Sequence, residues 1–237
     1  MTKKARIMLV HGAWADGSCW SKVILLLQAS GIPVTAAQIP LTSLSDDIAV
    51  TTRLLSLNKE PTVLVGHSYG GAVITGAGAS VPHVKALVYI TAFGLDEGES
   101  LASLSQQGPP SAGSAAITPD GTGYLWIKRE TFHQCFVADA TKDEAAIMAA
   151  VQKPLSIASF TEKAGLPAWK RIPSWYLLCT DDQMIPPPAQ EFLAKRMKAT
   201  QRSVASSHAA FMAHPQEVAD IILEAVDSLS ARSADAA

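Results

Sequence analysis

Residues 62–74 read TVLVGHSYGGAVI. The β-branched and aliphatic run at 62–65 is too short for a helix and too apolar for a surface loop, which predicts a buried strand. It stops at Gly66. Ser68 follows between His67 and Tyr69, then come Gly70 and Gly71, and the small residues of 71–80 predict a helix. A buried strand that turns through Gly-x-Ser-x-Gly straight into a helix is the setting of a nucleophile elbow. There the serine takes a strained backbone conformation, and the glycines remove side chains that would strike strand and helix. The hydroxyl projects above the sheet, where the helix N-terminal amides also point. The five-residue pattern alone is weak, arising by chance in about one chain in ten of this length at ordinary Gly and Ser frequencies. Its position between strand and helix gives it weight.

The same rhythm extends on both sides. Apolar runs at 6–10, 34–39, 85–91 and 174–179 predict further strands, with a short sixth at 202–205. Helical spacing appears at 21–29, across TSLSDDIAVTTRLLSLN through Ile48, Leu54 and Leu55, and at 215–229 through Val218, Ile221, Ile222, Val226 and Leu229. Aliphatic strands alternating with helices predict an α/β fold: a mostly parallel sheet of about six strands with helices on both faces. Residues 94–170 break the alternation. They hold the Gly-, Pro- and Ser-rich QQGPPSAGSAAITPDGTG, read as loop, a strand pair around GYLWIKRETFHQCFVA, and helical stretches at 142–151 and 154–163. The expected organisation is a core of residues 1–93 and 171–237 with 94–170 inserted as a cap. The tail SARSADAA is expected to fray.

The 237 residues are 48% hydrophobic and 17% charged with a net charge of −2, an ordinary globular balance. That charge gives no pull toward nucleic acid or anionic membrane, and no apolar run reaches the ~18 residues of a membrane span. The opening MTKKARIMLVHG is basic, but its apolar run is too short for a secretory segment and meets His11, so a cytoplasmic protein is expected. Cys19, Cys135 and Cys179 are widely spaced, which predicts buried free thiols rather than a metal site or disulfide framework.

A serine hydroxyl needs a base to attack, and the base needs an acid to orient it. Of the six histidines, His208 in SVASSHAAFMAHPQ lies just past the sixth strand and before the last helix, beside the elbow in the inferred sheet. His11, His67, His83, His133 and His214 fit structural or exposed positions better. For the acid, YLLCTDDQMIPP offers Asp181 and Asp182 just past the fifth strand. Asp182 is preferred because Asp-x-x-Ile-Pro leads into a proline-opened helix and leaves Asp181 as a turn residue; Asp96 is a third candidate. The oxyanion donors are expected to be the backbone N–H of Tyr69 and, from HGAWADG, that of Ala13, with Trp14 next.

With these residues placed, the chain resembles the α/β-hydrolase superfamily over nearly its whole length. LVHGAWADGSCW, GHSYGGAVI, TDDQMIPP and SSHAAFMAHP match its motifs in order. It is most similar to the small-esterase and hydroxynitrile-lyase branch, which includes plant methyl-ester esterases such as those acting on methyl salicylate. In that branch a histidine begins the oxyanion loop and a tryptophan ends it, like His11 and Trp20. The resemblance implies an eight-stranded ancestral sheet of which six strands remain here. The lyases carry a threonine after the first histidine and a lysine after the catalytic one, where this sequence has Gly12 and Ala209. Ala209 cannot hold a cyanide leaving group, so ester hydrolysis is favoured over lyase chemistry. Ser68 argues against the dehalogenases and most epoxide hydrolases, which use an aspartate at the elbow.

The expected activity is cleavage of a small carboxylic ester through an acyl-enzyme on Ser68, His208 and Asp182, with no metal or organic cofactor. A lactonase, a perhydrolase-type activity on the same triad, or a non-catalytic small-molecule receptor remain alternatives. Gly12, Trp14, Trp126, Phe132 and Phe160 are candidates for the substrate wall, with Phe136 and Trp169 as further aromatic candidates from the insertion. The expected partner is a small-molecule ester; a homodimer is left open.

Overall fold

The computed structural model describes residues 5–108 and 110–235, the side chains of 230–235 excepted. Strands β1 (Arg6–Val10), β2 (Val34–Ala37), β3 (Thr62–His67) and β4 (Val84–Ile90) alternate with helices α1 (Ser21–Ala29), α2 (Leu44–Ser56) and α3 (Tyr69–Ser80). After the insertion come β8 (Ser174–Cys179), α8 (Pro187–Arg196), β9 (Thr200–Val204), α9 (Ala210–Ala213) and α10 (Pro215–Asp235). Six strands form one sheet in the order β2-β1-β3-β4-β8-β9, every neighbour pair parallel. α1 packs on α10, and α2 packs on α3, so helices cover both faces. Every residue of β3 and β8 is buried, as a central parallel strand requires. Edge strand β9 is polar and exposed over most of its length.

The order reverses at β1, which has β2 on one side and β3 on the other. The loops that leave β1 and β3 therefore start side by side, with Val10 opposite Gly66. In an open α/β sheet such a reversal leaves a crevice at the carboxyl ends of the strands, the place where ligands bind. Ser68 sits on one lip of it and residues 11–16 on the other.

The insertion has its own small sheet. It runs through α4 (Leu101–Ser105), β5 (Ile117–Pro119), β6 (Tyr124–Ile127), α5 (Arg129–Phe136), α6 (Lys142–Val151), β7 (Leu155–Ser156) and α7 (Ile157–Thr161). β6 pairs antiparallel with β5 on one side and β7 on the other. Here the structure corrects several expectations. The Gly/Pro-rich stretch contains a 3-10 turn over Ala112–Ala116 and strand β5. Of the strand pair expected around GYLWIKRETFHQCFVA only β6 is a strand. The rest is α5, whose buried Phe132, Cys135 and Phe136 have helical spacing. The helix expected over 154–163 begins as β7, because Leu155 and Ser156 pair with β6, and becomes helical only after Ser156 caps α7. At the C-terminus α10 continues past the expected end to Asp235.

Candidate active site

Ser68 has φ 52° and ψ −121°, a conformation a non-glycine residue adopts only under constraint. The constraint is close packing. A methyl group on Gly66 would stand 2.5 Å from the Gly70 carbonyl oxygen, and one on Gly70 would stand 2.6 Å from that of Val10. The Ser68 carbonyl accepts the N–H groups of Gly71 (3.0 Å) and Phe93 (3.1 Å), which ties the elbow to the chain leaving β4.

His208 arrives on the loop after β9. Its Nε2 lies 2.8 Å from Ser68 Oγ and its Nδ1 lies 2.7 Å from Asp182 Oδ2. All three residues are buried. Asp182 follows β8. Its Oδ1 accepts the backbone N–H of Met184 at 2.7 Å and of Ile185 at 3.1 Å, the first residues of the turn toward α8. Its Oδ2 accepts from Gln190 Nε2 at 3.2 Å and from the Thr91 hydroxyl as well as from the imidazole. These bonds fix the carboxylate plane. A hydroxyl, an imidazole and a carboxylate so joined can move a proton off the hydroxyl as it attacks an electrophile.

The other candidates separate by environment. Asp181 is exposed and gives its N–H to the Ser206 carbonyl. Asp96 pairs with Lys170 Nζ at 2.5 Å, and that bond holds its pKa below the usual carboxylate range. His83 and His133 bond backbone carbonyls, and His214 lies between Asp139 and Glu217. His67 Nε2 donates to the His208 carbonyl at 2.8 Å. Burial, then the neighbouring His208, holds His67 well below the usual histidine range, so it is neutral. His11 Nδ1 donates to the Gly12 carbonyl at 2.9 Å while its Nε2 accepts the N–H of Ile39 at 3.2 Å. Burial lowers its pKa to about 4 against the opposing pull of the Gly12 carbonyl. It is a neutral brace between the loops leaving β1 and β2.

Among the described residues the N–H groups of Tyr69 and Ala13 have no hydrogen-bond acceptor. Trp14 N–H is taken by the Lys153 carbonyl at 3.0 Å, which removes it as an oxyanion donor. Trp14 Nε1 donates to the Leu125 carbonyl at 2.9 Å. The insertion thus holds the β1 loop at two points.

The five residues expected in the substrate wall stand in different settings. Gly12 abuts Ser68, and a methyl group there would stand 2.8 Å from Ser68 Cβ. Trp14 is buried edge-on against Phe136. Trp126, half-buried in β6, donates its Nε1 to the exposed Asp120 at 3.0 Å, and Phe160 is half-buried. Phe132 has no accessible surface and packs behind Phe136. Phe136 is the insertion ring that meets the histidine, its centroid 5.1 Å from that of His208. Trp169 lies elsewhere, with Nε1 on the Leu95 carbonyl. An apolar cavity of about 670 Å³ opens beside the Asp182 loop, lined by Phe93, Leu104, Pro110, Met184, Ile185 and Phe192 among others and by none of those five.

Sequence reasoning missed Thr91 and Gln190 on Asp182, and Asp139. Asp139 accepts from Ser206 Oγ (2.8 Å), Ser207 N–H (2.9 Å) and Ser207 Oγ (2.5 Å), directly before His208. The SS preceding His208 was the one available hint, since hydroxyls that become buried need hydrogen-bond partners. Cys19, Cys135 and Cys179 are buried free thiols. Among the described residues no group of three or more His, Cys, Asp or Glu could hold a metal ion, and no helix is long and apolar enough to cross a membrane.

A family model described as "Alpha/beta hydrolase family" matches residues 7–221. The chain is similar to the carbendazim hydrolyzing esterase of Nocardioides sp. (strain SG-4G), at 32% identity over 47% of this chain and 51% of that protein. It is also similar to putative methylesterase 13, chloroplastic, of Arabidopsis thaliana, at 25% identity over 92% of this chain and 55% of that protein. The chain spans about half the length of each of these two relatives. In fold it is like the crystal structure of a pyrethroid hydrolase from Sphingobium faniae JZ-2, with a TM-score of 0.83 over 94% of this chain and 98% of that chain at 24% identity.

Proposed function

This chain belongs to the alpha/beta hydrolase family, and we propose that it is a serine esterase that cleaves a small carboxylic ester through an acyl-enzyme. The observation that carries the proposal is the unbroken chain from Ser68 Oγ through His208 to Asp182, with contacts of 2.8 and 2.7 Å. Ser68 attacks the ester carbonyl carbon while His208 Nε2 takes its proton. Asp182 keeps the other imidazole proton on Nδ1 and stabilises the imidazolium. The Tyr69 and Ala13 N–H groups receive the oxyanion. His208 then returns the proton to the leaving alcohol, and a water activated by His208 releases the acid and frees Ser68. Relatives named for ester cleavage support the reaction class. Residues 94–170 act as the cap that shapes the pocket, with Phe136 closing over His208.

Turnover of p-nitrophenyl acetate and labelling by a fluorophosphonate probe test this, each with Ser68→Ala as control. Wild-type turnover and labelling, both abolished by Ser68→Ala in a folded protein, are expected. A Ser68→Ala variant as active as wild type would sink the mechanism. No labelling and no turnover by wild type would leave the fold as a receptor. A panel of esters and lactones graded in acyl size then fixes the substrate.

A further inference from the structure

The serine mechanism gives no role to Asp47, a carboxylate buried on α2 with no accessible surface. We propose that Asp47 is a positioning residue of the oxyanion hole, holding the Tyr69 peptide in place through the tyrosine hydroxyl. The inference rests on the esterase mechanism above.

Tyr69 is the first residue of α3, and no side chain caps that end of the helix. Its peptide follows a serine with φ 52°, so the backbone on that side stores strain that relaxation would release by turning the Tyr69 N–H. The tyrosine side chain opposes this. It is fully buried and reaches to α2, where its hydroxyl donates to Asp47 Oδ2 at 2.5 Å. Asp47 Oδ1 accepts the N–H of Leu41 at 2.8 Å. Leu41 has φ 63°, and its carbonyl accepts the N–H of Ser156 in β7 at 3.0 Å. The carboxylate therefore joins the residue after the nucleophile to the loop leaving β2 and, through it, to the insertion.

The second donor is held from the same place. Lys153, three residues before Ser156, takes the Trp14 N–H on its carbonyl and gives its own ammonium to the Ile39 carbonyl. Ala13 precedes Trp14, so both candidate oxyanion peptides are braced against residues 39–41. Asp47 has no ion-pair partner within 4.0 Å among the described residues; the charge of Lys153 favours its ionised form and that of Asp46 opposes it. Burial raises its pKa to about 6 despite the Tyr69 and Leu41 bonds. An apolar pair of the same volume would cost less in stability. What the carboxylate adds is direction: it gives the Tyr69 ring one fixed end, and an N–H held to within ~0.5 Å is what electrostatic stabilisation of an oxyanion requires.

The test uses the full chain at pH 8, where Asp47 is ionised, with Tyr69→Phe as the main variant. Tyr89→Phe is the comparator: it removes a buried hydroxyl bonded to Thr75 on the same helix at 2.8 Å but away from the serine. We measure kcat and KM on p-nitrophenyl acetate, thermal stability, and inhibition by a trifluoromethyl ketone, whose adduct carries the oxyanion. In Tyr69→Phe, kcat is expected to fall about 10- to 100-fold with KM within about threefold, and ketone affinity to fall in parallel. Tyr89→Phe is expected to lose stability and keep its kcat. If Tyr69→Phe does not fold, Asp47→Asn is read in its place, with a loss of at least about fivefold in kcat expected. Either variant keeping wild-type kcat and ketone affinity would overturn the role of Asp47 and leave the esterase mechanism standing. A wild type without Ser68-dependent turnover would overturn both.

Discussion

Replacing Asp182 by asparagine has an outcome that the hydrogen bonds around it dictate. Oδ1 of Asp182 is fixed as an acceptor by two backbone N–H groups, from Met184 and Ile185. Backbone amides cannot become acceptors, so the asparagine oxygen must occupy that site and its NH2 must take the place of Oδ2. The NH2 then faces His208 Nδ1, now 2.7 Å from a carboxylate oxygen. An amide N–H donates there only if Nδ1 is bare, which moves the imidazole proton to Nε2. In that tautomer Nε2 donates to Ser68 Oγ and cannot take its proton. The same swap sets the NH2 against the Gln190 amide, 3.2 Å from Oδ2, while the Thr91 hydroxyl can rotate and accept. One lost charged bond and one donor–donor contact cost about 2–4 kcal/mol of stability. The catalytic loss is larger: a wrong tautomer in a serine triad costs about 10⁴ in kcat, or roughly 5.5 kcal/mol. Steady-state kinetics on p-nitrophenyl acetate and thermal denaturation of Asp182→Asn give both numbers, with Asp181→Asn as the exposed control expected to match wild type. Asp182→Asn within tenfold of wild-type kcat, or Asp181→Asn losing more, would refute the tautomer reasoning and the choice of acid.

Gly12→Ala drives a methyl group to 2.8 Å from Ser68 Cβ, and the resulting shift of the nucleophile is expected to lower kcat/KM about 100-fold; a variant with unchanged kcat/KM would show that the loop yields instead. Asp139→Ala strips the acceptor from Ser206 and Ser207, with an expected loss of about 2–4 kcal/mol in chemical denaturation and a lower kcat; a loss under about 0.5 kcal/mol would mean that the serines find other partners. Acid titration of stability separates two buried groups. The carboxyl of Asp47 is raised from 3.8 to about 6 by burial, so its contribution falls by about 3 kcal/mol as pH rises from 4 to 6, because the folded state holds a proton that the unfolded chain gives up. His11, lowered from 6.5 to about 4 by burial, acts oppositely: its contribution is lost by a similar amount as pH falls through that range. The two largely cancel in wild type. Asp47→Asn is expected to lose stability more steeply between pH 6.5 and 4, by about 3 kcal/mol, and a profile parallel to wild type would contradict the assignment.

The sheet was readable because its strands are buried on both faces and so are written as unbroken aliphatic runs such as MLV and TVLV. β9 was harder, since an exposed edge strand with the sequence TQRSV has no apolar face to write. β5 and β7, three and two residues long, exist only because β6 lies between them, and no local pattern encodes such pairing. The residues of the proposed triad were legible for a different reason: each stands at the carboxyl end of a strand in a short pattern with its own chemistry. Thr91 and Gln190 carry no such pattern. Thr91 meets Asp182 across 91 positions of chain only because β4 and β8 are neighbours. Asp47 reads as one of two acids in the first turn of a helix, an ordinary place for an acid, and nothing in SLSDD distinguishes the exposed Asp46 from the buried Asp47.

The two bonds that Trp14 makes to Lys153 and Leu125 join the loop after β1 and the insertion into one mechanical unit. Ala13 lies next to Trp14, so a displacement of residues 94–170 that broke both bonds would also free the peptide proposed as the second oxyanion donor. On the proposed mechanism, the segment that shapes the pocket would then also tune the reactivity of the serine.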